Sequence, residues 1–513
     1  MLYLLLALIP VYVLLLSRAR HRQLWSRLRA GQRQRLLASL DRPDGLKDRT
    51  IVAFFHPYCN AGGGGERVLW TALSHMQRTP TTRDHVYVVY TGDRGVTKDS
   101  MISKVKDRFG IELDPKTLAF VFLEYRSLVE DSTWKRFTLA GQSFGSVLLA
   151  LEALWWHEGA VVPDVWIDTM GYAFTYPLVK RLCRIPVASY THYPTISTDM
   201  LDRVAKRQSG HTNQALVSRS IILTALKLGY YRLFARAYER SLSCADLIWV
   251  NSTWTRRHIE KLLSSKPPSR NTRPIRLLYP PCDTKSLATL PLSSPLRNPQ
   301  QIISLAQFRP EKEHALQLEA LSRLFSLDPK HRSTVRLVMA GSVRNEGDEA
   351  RVLQLKALAR SLGIHDQVEF RINEDWTVLR NLLGSSGIGL HTMFDEHFGI
   401  TLVEFQAAGL ISVAHASAGP LLDILVPFSP SPTVPEGPTG YLASSVSRED
   451  LAEEFAKQLD TALRLSGDEQ EGIRARAREN AKQRFGTTVF EEGWESGWTQ
   501  LMSKIEKPDR DVK

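Results

Sequence analysis

Cysteine is scarce in this chain of 513 residues: Cys59, Cys183, Cys244 and Cys282 are its four, too scattered for a CxxC pair or a zinc spacing. A disulfide framework is thereby excluded, and small core cysteines in a reducing compartment are expected. No cluster of metal-ligating side chains is legible, and neither the dinucleotide fingerprint GxGxxG nor the lysine of a P-loop occurs where a phosphate loop would need it. The expectation is therefore no metal and no cofactor. Acidic residues are in deficit, 54 Asp and Glu against 66 Lys and Arg, for a net charge of +12. Such a balance suits nucleic acid or an anionic membrane surface. No RNA- or DNA-binding motif accompanies it, which removes nucleic acid as a partner.

Uncharged apolar runs are also rare, and the one at the amino terminus, MLYLLLALIPVYVLLL, sits at the short end of what spans a bilayer. It lacks a basic residue ahead of it and a small-x-small cleavage site behind it, so an uncleaved anchor over 1–17 is expected rather than a removed signal. Residues 18–49 then carry a basic collar that includes Arg18, Arg20, Arg22, Arg27, Arg29, Arg33 and Arg35. Basic flanks stay cytoplasmic, which puts everything after the anchor in the cytosol.

What is present is the pattern of two α/β domains, as a chain of this length requires. Hydrophobic content of 43% against 23% charged is that of a folded protein. From Thr50 a buried strand runs into Gly62, Gly63, Gly64 and Gly65 and then directly into a helix. Four glycines bring backbone close to a ligand or to a facing domain; a plain surface turn is the competing reading. Further strands are predicted over 85–90, 119–123, 164–168, 186–190 and 246–250, with helices between, which reads as a parallel sheet. Ligands bind beyond the carboxyl ends of such strands. His192 stands at one of those ends, placed for a sugar hydroxyl or for acid–base work, or simply as a turn histidine. Residues 215–237 mix an apolar stripe with Arg219, Lys227, Arg232 and Arg236, so the segment lies either on the sheet or in a membrane interface, not across a membrane.

A proline- and serine-rich linker over 284–299 separates the halves. The second α/β pattern opens with a strand over 301–305, followed by Gln307, Arg309 and Lys312 just before a helix. Cations there suit a diphosphate, or are ordinary surface charges. The densest signal is FDEHFGITLVEFQAAGLISVAHASAGP, where seven residues separate Glu396 from Glu404. Eight residues of helical rise, ~12 Å, are too long for two carboxylates flanking one reacting bond. They suit a grip on two ends of an extended ligand. Between them the N–H groups of Gly399, Ile400 and Thr401 would open at a helix N-terminus, ready for phosphate. Taken alone, the spacing also fits an ordinary amphipathic helix.

Two Rossmann-like halves, a glycine-rich loop in the first and E-x7-E in the second resemble the retaining GT-B glycosyltransferases, the family 4 type that includes bacterial phosphatidylinositol mannosyltransferases. The blocks HPYCNAGGGGERVLW, WIDTMGYAFTYP, SYTHYPTIS, CADLIWVNSTWT, LAQFRPEKEHALQL and MFDEHFGITLVEFQAAG are similar, within that family, to α-1,2-mannosyltransferases acting on dolichol-linked oligosaccharides. The resemblance implies a GT-B fold with two Rossmann-like domains facing a cleft: an acceptor domain over 50–283, a GDP-mannose domain over 300–485, and a tail over 486–513 that returns to the first. It implies GDP-mannose as donor and a trimannosyl-chitobiose diphosphodolichol acceptor. Two mannoses are added in turn at the cytosolic face of the endoplasmic reticulum membrane, with other mannosyltransferases of the pathway as candidate neighbours. Carried over residue by residue, it gives Glu396 to the donor mannose and Glu404 to the ribose. The N–H groups of Gly399, Ile400 and Thr401 go to sugar and phosphates, Lys312 and Arg309 to the diphosphate, and His192 to the reacting sugar. Gly62 to Gly65 approach phosphate or acceptor. Gln307 stands where the family more commonly has arginine.

Overall fold

The computed structural model describes residues 18–40, 49–196, 221–264, 274–293, 295–445 and 447–506. The expected anchor, 1–17, lies outside them, as do 215–220 of the segment read as interfacial. Among the described residues no helix is long and apolar enough to cross a membrane. The chain divides into two compact units, changing over at Trp249/Val250, Glu260/Lys261, Ile275/Arg276 and Ser496/Gly497.

The first sheet has seven strands: β1 (Ile51–Phe55), β2 (Val86–Thr91), β3 (Leu118–Phe122), β4 (Val165–Asp168), β5 (Val187–Thr191), β6 (Leu247–Val250) and β7 (Ile275–Leu277). Their order is β3-β2-β1-β4-β5-β6-β7. β1, β2, β4 and β5 are buried at every position, which is why they read as unbroken apolar runs. The order reverses at β1, between β2 and β4, and both neighbours pair with it in parallel. That switch point opens a crevice beyond the strand ends. The arginine-rich stretch folds as a helix, Arg18–Ala38. Its later half is docked: Leu36 and Leu37 are buried, Arg29 and Arg33 pair with Asp164 at 3.5 and 3.1 Å, and the Gln32 amide donates to Leu154 O. Two of the collar's arginines thus hold the fold. The helix Ile221–Leu242 is two-sided. Tyr231, Phe234, Tyr238 and Leu242 are buried, whereas Leu226 and Leu233 are more than two-thirds exposed.

The second sheet has six strands: β8 (Asn298–Leu305), β9 (Arg336–Gly341), β10 (Val368–Ile372), β11 (Ser386–His391), β12 (Ile411–His415) and β13 (Gly440–Ala443), in the order β10-β9-β8-β11-β12-β13. Here the switch falls between β8 and β11, which pair in parallel. The helix Ile400–Ala408 packs its Leu402, Val403, Phe405, Ala407 and Ala408 into the core. Gly389 of β11 permits this, since a Cβ there would lie 2.2 Å from the Phe405 ring. The apolar stretch 401–426 is therefore a buried helix–strand unit. Gly409 ends the helix at φ 81°, and two arginines serve its last carbonyls. Arg478 Nε donates to Ala407 O at 2.9 Å, and Arg297 donates to Ala408 O at 2.8 Å. Arg297 is 6% exposed and also reaches Ser386 O and Pro291 O. Burial, followed by the neighbouring charges of Arg474 and Arg478, lowers its pKa to about 10, which leaves it charged at neutral pH.

The linker stretch holds a short helix, Thr284–Ala288, before β8 begins. The last helix, Thr487–Glu506, has Trp494 buried in the second unit, while Gly497 packs beneath Trp249 of the first and the Trp498 ring lies 6.0 Å from that of His85. Replacing Arg297 by Met should take the donor from two buried carbonyls, Ser386 O and Ala408 O, and destabilise the second unit by about 2–3 kcal/mol or more. A lowered urea midpoint checks this.

Candidate functional site

In the second unit three loops meet at the carboxyl ends of β8, β11 and β12. The loop after β8 is short because Gly341, ending β9, leaves room for it: a Cβ there would stand 1.9 Å from Ala306 O. The turn Pro310–Lys312 follows. Glu313 then takes φ 52° before the helix His314–Leu327. After β11, Thr392 hydroxyl donates to Lys312 O and Glu313 O at 3.1 and 3.2 Å and accepts from Gln317 Nε2, which joins the two loops. Asp395 takes φ 53°, its N–H held by Ser417 Oγ at 2.8 Å. Ala418, in the loop after β12, takes φ 42°. Gly419 N–H closes the set by donating to Glu396 O at 2.9 Å. Three non-glycine residues in left-handed backbone cost of order 1–3 kcal/mol each and persist because the surrounding bonds fix them.

This scaffold brings Lys312 to Glu396. Lys312 Nζ lies 2.6 Å from Glu396 Oε2, and His391 Nε2 lies 3.1 Å from the same oxygen. The side chains are 22%, 15% and 5% exposed for Lys312, Glu396 and His391. Burial by itself would raise the carboxyl's pKa. The His391 hydrogen bond and the Lys312 charge outweigh it and hold Glu396 well below the ordinary carboxylate range. Next in the chain, His397 stacks on Trp254 at 5.1 Å, and Trp254 in turn packs on His258 at 4.0 Å. Burial drives the His397 pKa down to about 4, so the ring is neutral at pH 7. Trp254 reaches this place because Asp423, fully buried, accepts from Thr253 N–H at 2.9 Å and from Tyr279 hydroxyl at 2.8 Å.

The helix bearing Glu404 starts at Ile400, with Gly399 at φ 107° as its cap. Leu402 and Val403 N–H turn back to Gly399 O, leaving those of Ile400 and Thr401 ahead of the first turn. Glu404 is half-buried on that helix. Arg309 stands apart from Glu396, paired with Glu311 at 3.4 Å with its side chain 39% exposed.

In the first unit His56 and His192 stand just past β1 and β5, and both rings approach Gly65: His192 Nε2 is 3.6 Å, and His56 Cε1 3.9 Å, from where a Cβ would be. His56 is bonded to Thr169 Oγ1 at 2.7 Å, and burial followed by the neighbouring His192 lowers its pKa to about 3. Of the glycine run, Gly62 takes φ 81°, and Gly64 and Gly65 begin the helix Gly64–Arg78. The buried Glu66 accepts from Ala61 N–H and Gly63 N–H at 3.2 and 2.8 Å. Two of the loop's donors are thereby used within the protein, leaving fewer for a phosphate. Asp168 does similar work behind the site, accepting from Met170 N–H, Gly171 N–H and Tyr176 hydroxyl. Sequence reasoning missed His56, Glu66, His391, Thr392 and Asp423. His56 and His391 carried the signal used for His192, a histidine at a strand's carboxyl end.

Comparison with known proteins decides the family. The model for the ALG11 mannosyltransferase N-terminus matches residues 49–263, and that for glycosyl transferases group 1 matches 293–484. The chain is 45% identical over 461 residues to the mouse protein named GDP-Man:Man(3)GlcNAc(2)-PP-Dol alpha-1,2-mannosyltransferase, covering 89% of this chain and 88% of that one. It belongs to the ALG11 mannosyltransferase family. The human protein of the same name is 43% identical, with 93% of this chain and 90% of the relative covered. The Caenorhabditis elegans protein is 40% identical, with 86% and 89% covered. Among solved structures, apo OtsA has a TM-score of 0.61 at 15% identity, covering 88% of this chain and 99% of that one. Anabaena HepE with UDP and glucose has a TM-score of 0.56 at 14% identity, covering 88% and 100%. At such identities the likeness is of fold, and that fold is GT-B-like.

Within this family member the depressed Glu396 pKa has a stability consequence. Its folded pKa lies below the unfolded value of about 4.3, so its contribution is complete above that value and fades as pH falls through the folded one. Glu396→Gln should therefore cost about 1–3 kcal/mol at pH 7, and the gap to wild type should narrow below pH ~4. Denaturant titrations at both pH values check this.

Proposed function

We propose that this chain transfers mannose from GDP-mannose to the Man(3)GlcNAc(2)-PP-Dol acceptor in α-1,2 linkage, two residues in succession. The observation that carries this reading is the Lys312–Glu396 pair at the switch point of the second sheet, in a chain 38–45% identical over most of its length to mannosyltransferases named for that reaction. The second unit takes the donor. Lys312 meets the diphosphate, Arg309 joins it by leaving Glu311, and the N–H groups of Gly399, Ile400 and Thr401 complete the anion site at a helix N-terminus. Glu404 holds the ribose hydroxyls and Glu396 a hydroxyl of the transferred mannose. The first unit takes the acceptor. Its glycine loop admits sugar close to backbone, and His192, beside a neutral His56, donates to or accepts from a hydroxyl near the reacting carbon.

Donor and product are both α-linked, so the configuration is retained. In a front-face displacement the β-phosphate oxygen takes the acceptor hydroxyl proton as the glycosidic bond lengthens. Glu396 then orients the sugar. Two donors already on Oε2 make this carboxylate a weak nucleophile, which favours that route over a glycosyl-enzyme. No metal is required, since the departing diphosphate charge falls on Lys312, Arg309 and the helix N-terminus. Activity should survive EDTA.

The enzyme works at the cytosolic face of the endoplasmic reticulum, tethered by 1–17. The helix Ile221–Leu242 supports a membrane-facing first unit: its exposed Leu226 and Leu233 stand among Arg232, Arg236 and Arg240, with no acid from Ile221 through Tyr238. Mass analysis of the lipid-linked glycan made by purified protein from GDP-mannose should show two added hexoses. An unchanged acceptor overturns the assignment. Glu396→Ala should abolish transfer. Glu404→Ala should chiefly raise KM for GDP-mannose, by about tenfold.

A further inference from the structure

Glu396 has two partners on one oxygen, and they differ in how firmly they are held. His391 ends β11, where it pairs in register with Ala414 of β12. Its ring is buried and turns on two bonds only. Lys312 is fixed differently. Thr392 hydroxyl binds its carbonyl at 3.1 Å, but its ammonium rides on a four-carbon stem, against Glu396 at 2.6 Å and the soft Met393 sulfur at 3.1 Å. The backbone of Lys312 is anchored and its charge can swing. In the donor reading above, that charge is wanted by the diphosphate, and an ammonium drawn toward it loosens its hold on Glu396.

We infer that His391 is a positioning residue that keeps the Glu396 carboxylate in place when Lys312 turns from it to the donor diphosphate. The inference rests on Lys312 being the diphosphate group. Both bonds go to Oε2, so the other oxygen is the one presented to the sugar hydroxyl. With Lys312 gone, His391 keeps Oε2 bonded and the carboxylate plane unchanged. The charged and titratable groups around the carboxylate are Lys312 from the loop after β8, His391 from β11 and His397 from its own loop. His314 faces His391, and His258 faces His397. Burial keeps His314 and His397 neutral at pH 7, with pKa values lowered to about 4 in each. Once Lys312 has moved, His391 is therefore the group left to keep Glu396 ionised.

The test compares full-length wild type, Lys312→Ala, His391→Ala and His391→Gln. GDP affinity is measured by calorimetry, and kcat for GDP-mannose is measured from pH 5 to 8. Lys312→Ala should lose GDP affinity by about tenfold or more. His391→Ala should keep GDP affinity within about twofold yet lose kcat by about tenfold, with the acid limb of its profile moved to higher pH. His391→Gln, which still offers an N–H, should recover most of both. A His391→Ala enzyme with wild-type kcat, or with reduced kcat and an unmoved acid limb, overturns the role, because a merely structural part would leave the limb in place. Undiminished GDP affinity in Lys312→Ala overturns the donor reading itself, and the hand-off with it.

Discussion

The second unit depends on one ion pair, Lys312 with Glu396, kept mostly out of water. Removing two charges from solvent is costly, and the pair is stable only where geometry is close and the remaining lone pairs are bonded. That requirement accounts for much of what surrounds it. Thr392 ties the lysine loop to the glutamate loop. Ser417 and Gly419 hold the glutamate loop from the next strand. Glu313, Asp395 and Ala418 accept left-handed backbone so that those bonds can form. The scaffold below is correspondingly tight: Gly341 and Gly389 stand where any side chain would strike the loop or the helix. Arg297 and Arg478 close the far end of that helix.

The fold was legible because β1, β2, β4, β5, β6, β11 and β12 are buried at every position and so read as largely apolar runs, from IVAFF to ISVAH. The strands that escaped notice, β7 and β13, have three and four residues, partly exposed, beside proline-rich stretches. The Glu396–Glu404 spacing and the cations after β8 were legible as well, since each lies next to a local signal, a helix start or a strand end. Partners supplied by the fold from a distance were not. Asp423 meets Thr253 across 170 positions and Lys312 meets Glu396 across 84, and no local pattern links such residues. The arginine collar has a second role that its sequence does not show: Arg29 and Arg33 pair with Asp164, more than 130 positions away.

The first unit shows a different economy. Its glycine loop invites a phosphate reading, but Glu66 takes two of the loop's N–H groups and places a carboxylate at the helix start. A loop so furnished is better matched to sugar hydroxyls than to a second anion. His56, neutral and fixed to Thr169, backs the same ground on which His192 stands. In the proposed function the two units divide the chemistry of charge and of hydroxyl recognition between them. That division suits a family whose donor is a nucleotide diphosphate sugar and whose acceptor end is a glycan.

The measurement that tests this account most directly is a structure of the full-length enzyme with GDP-mannose bound. The account predicts the diphosphate at Lys312 and the N-terminus of the helix Ile400–Ala408, the mannose against Glu396, and His391 still bonded to that carboxylate. A nucleotide seated elsewhere, with Lys312 still on Glu396, would contradict it.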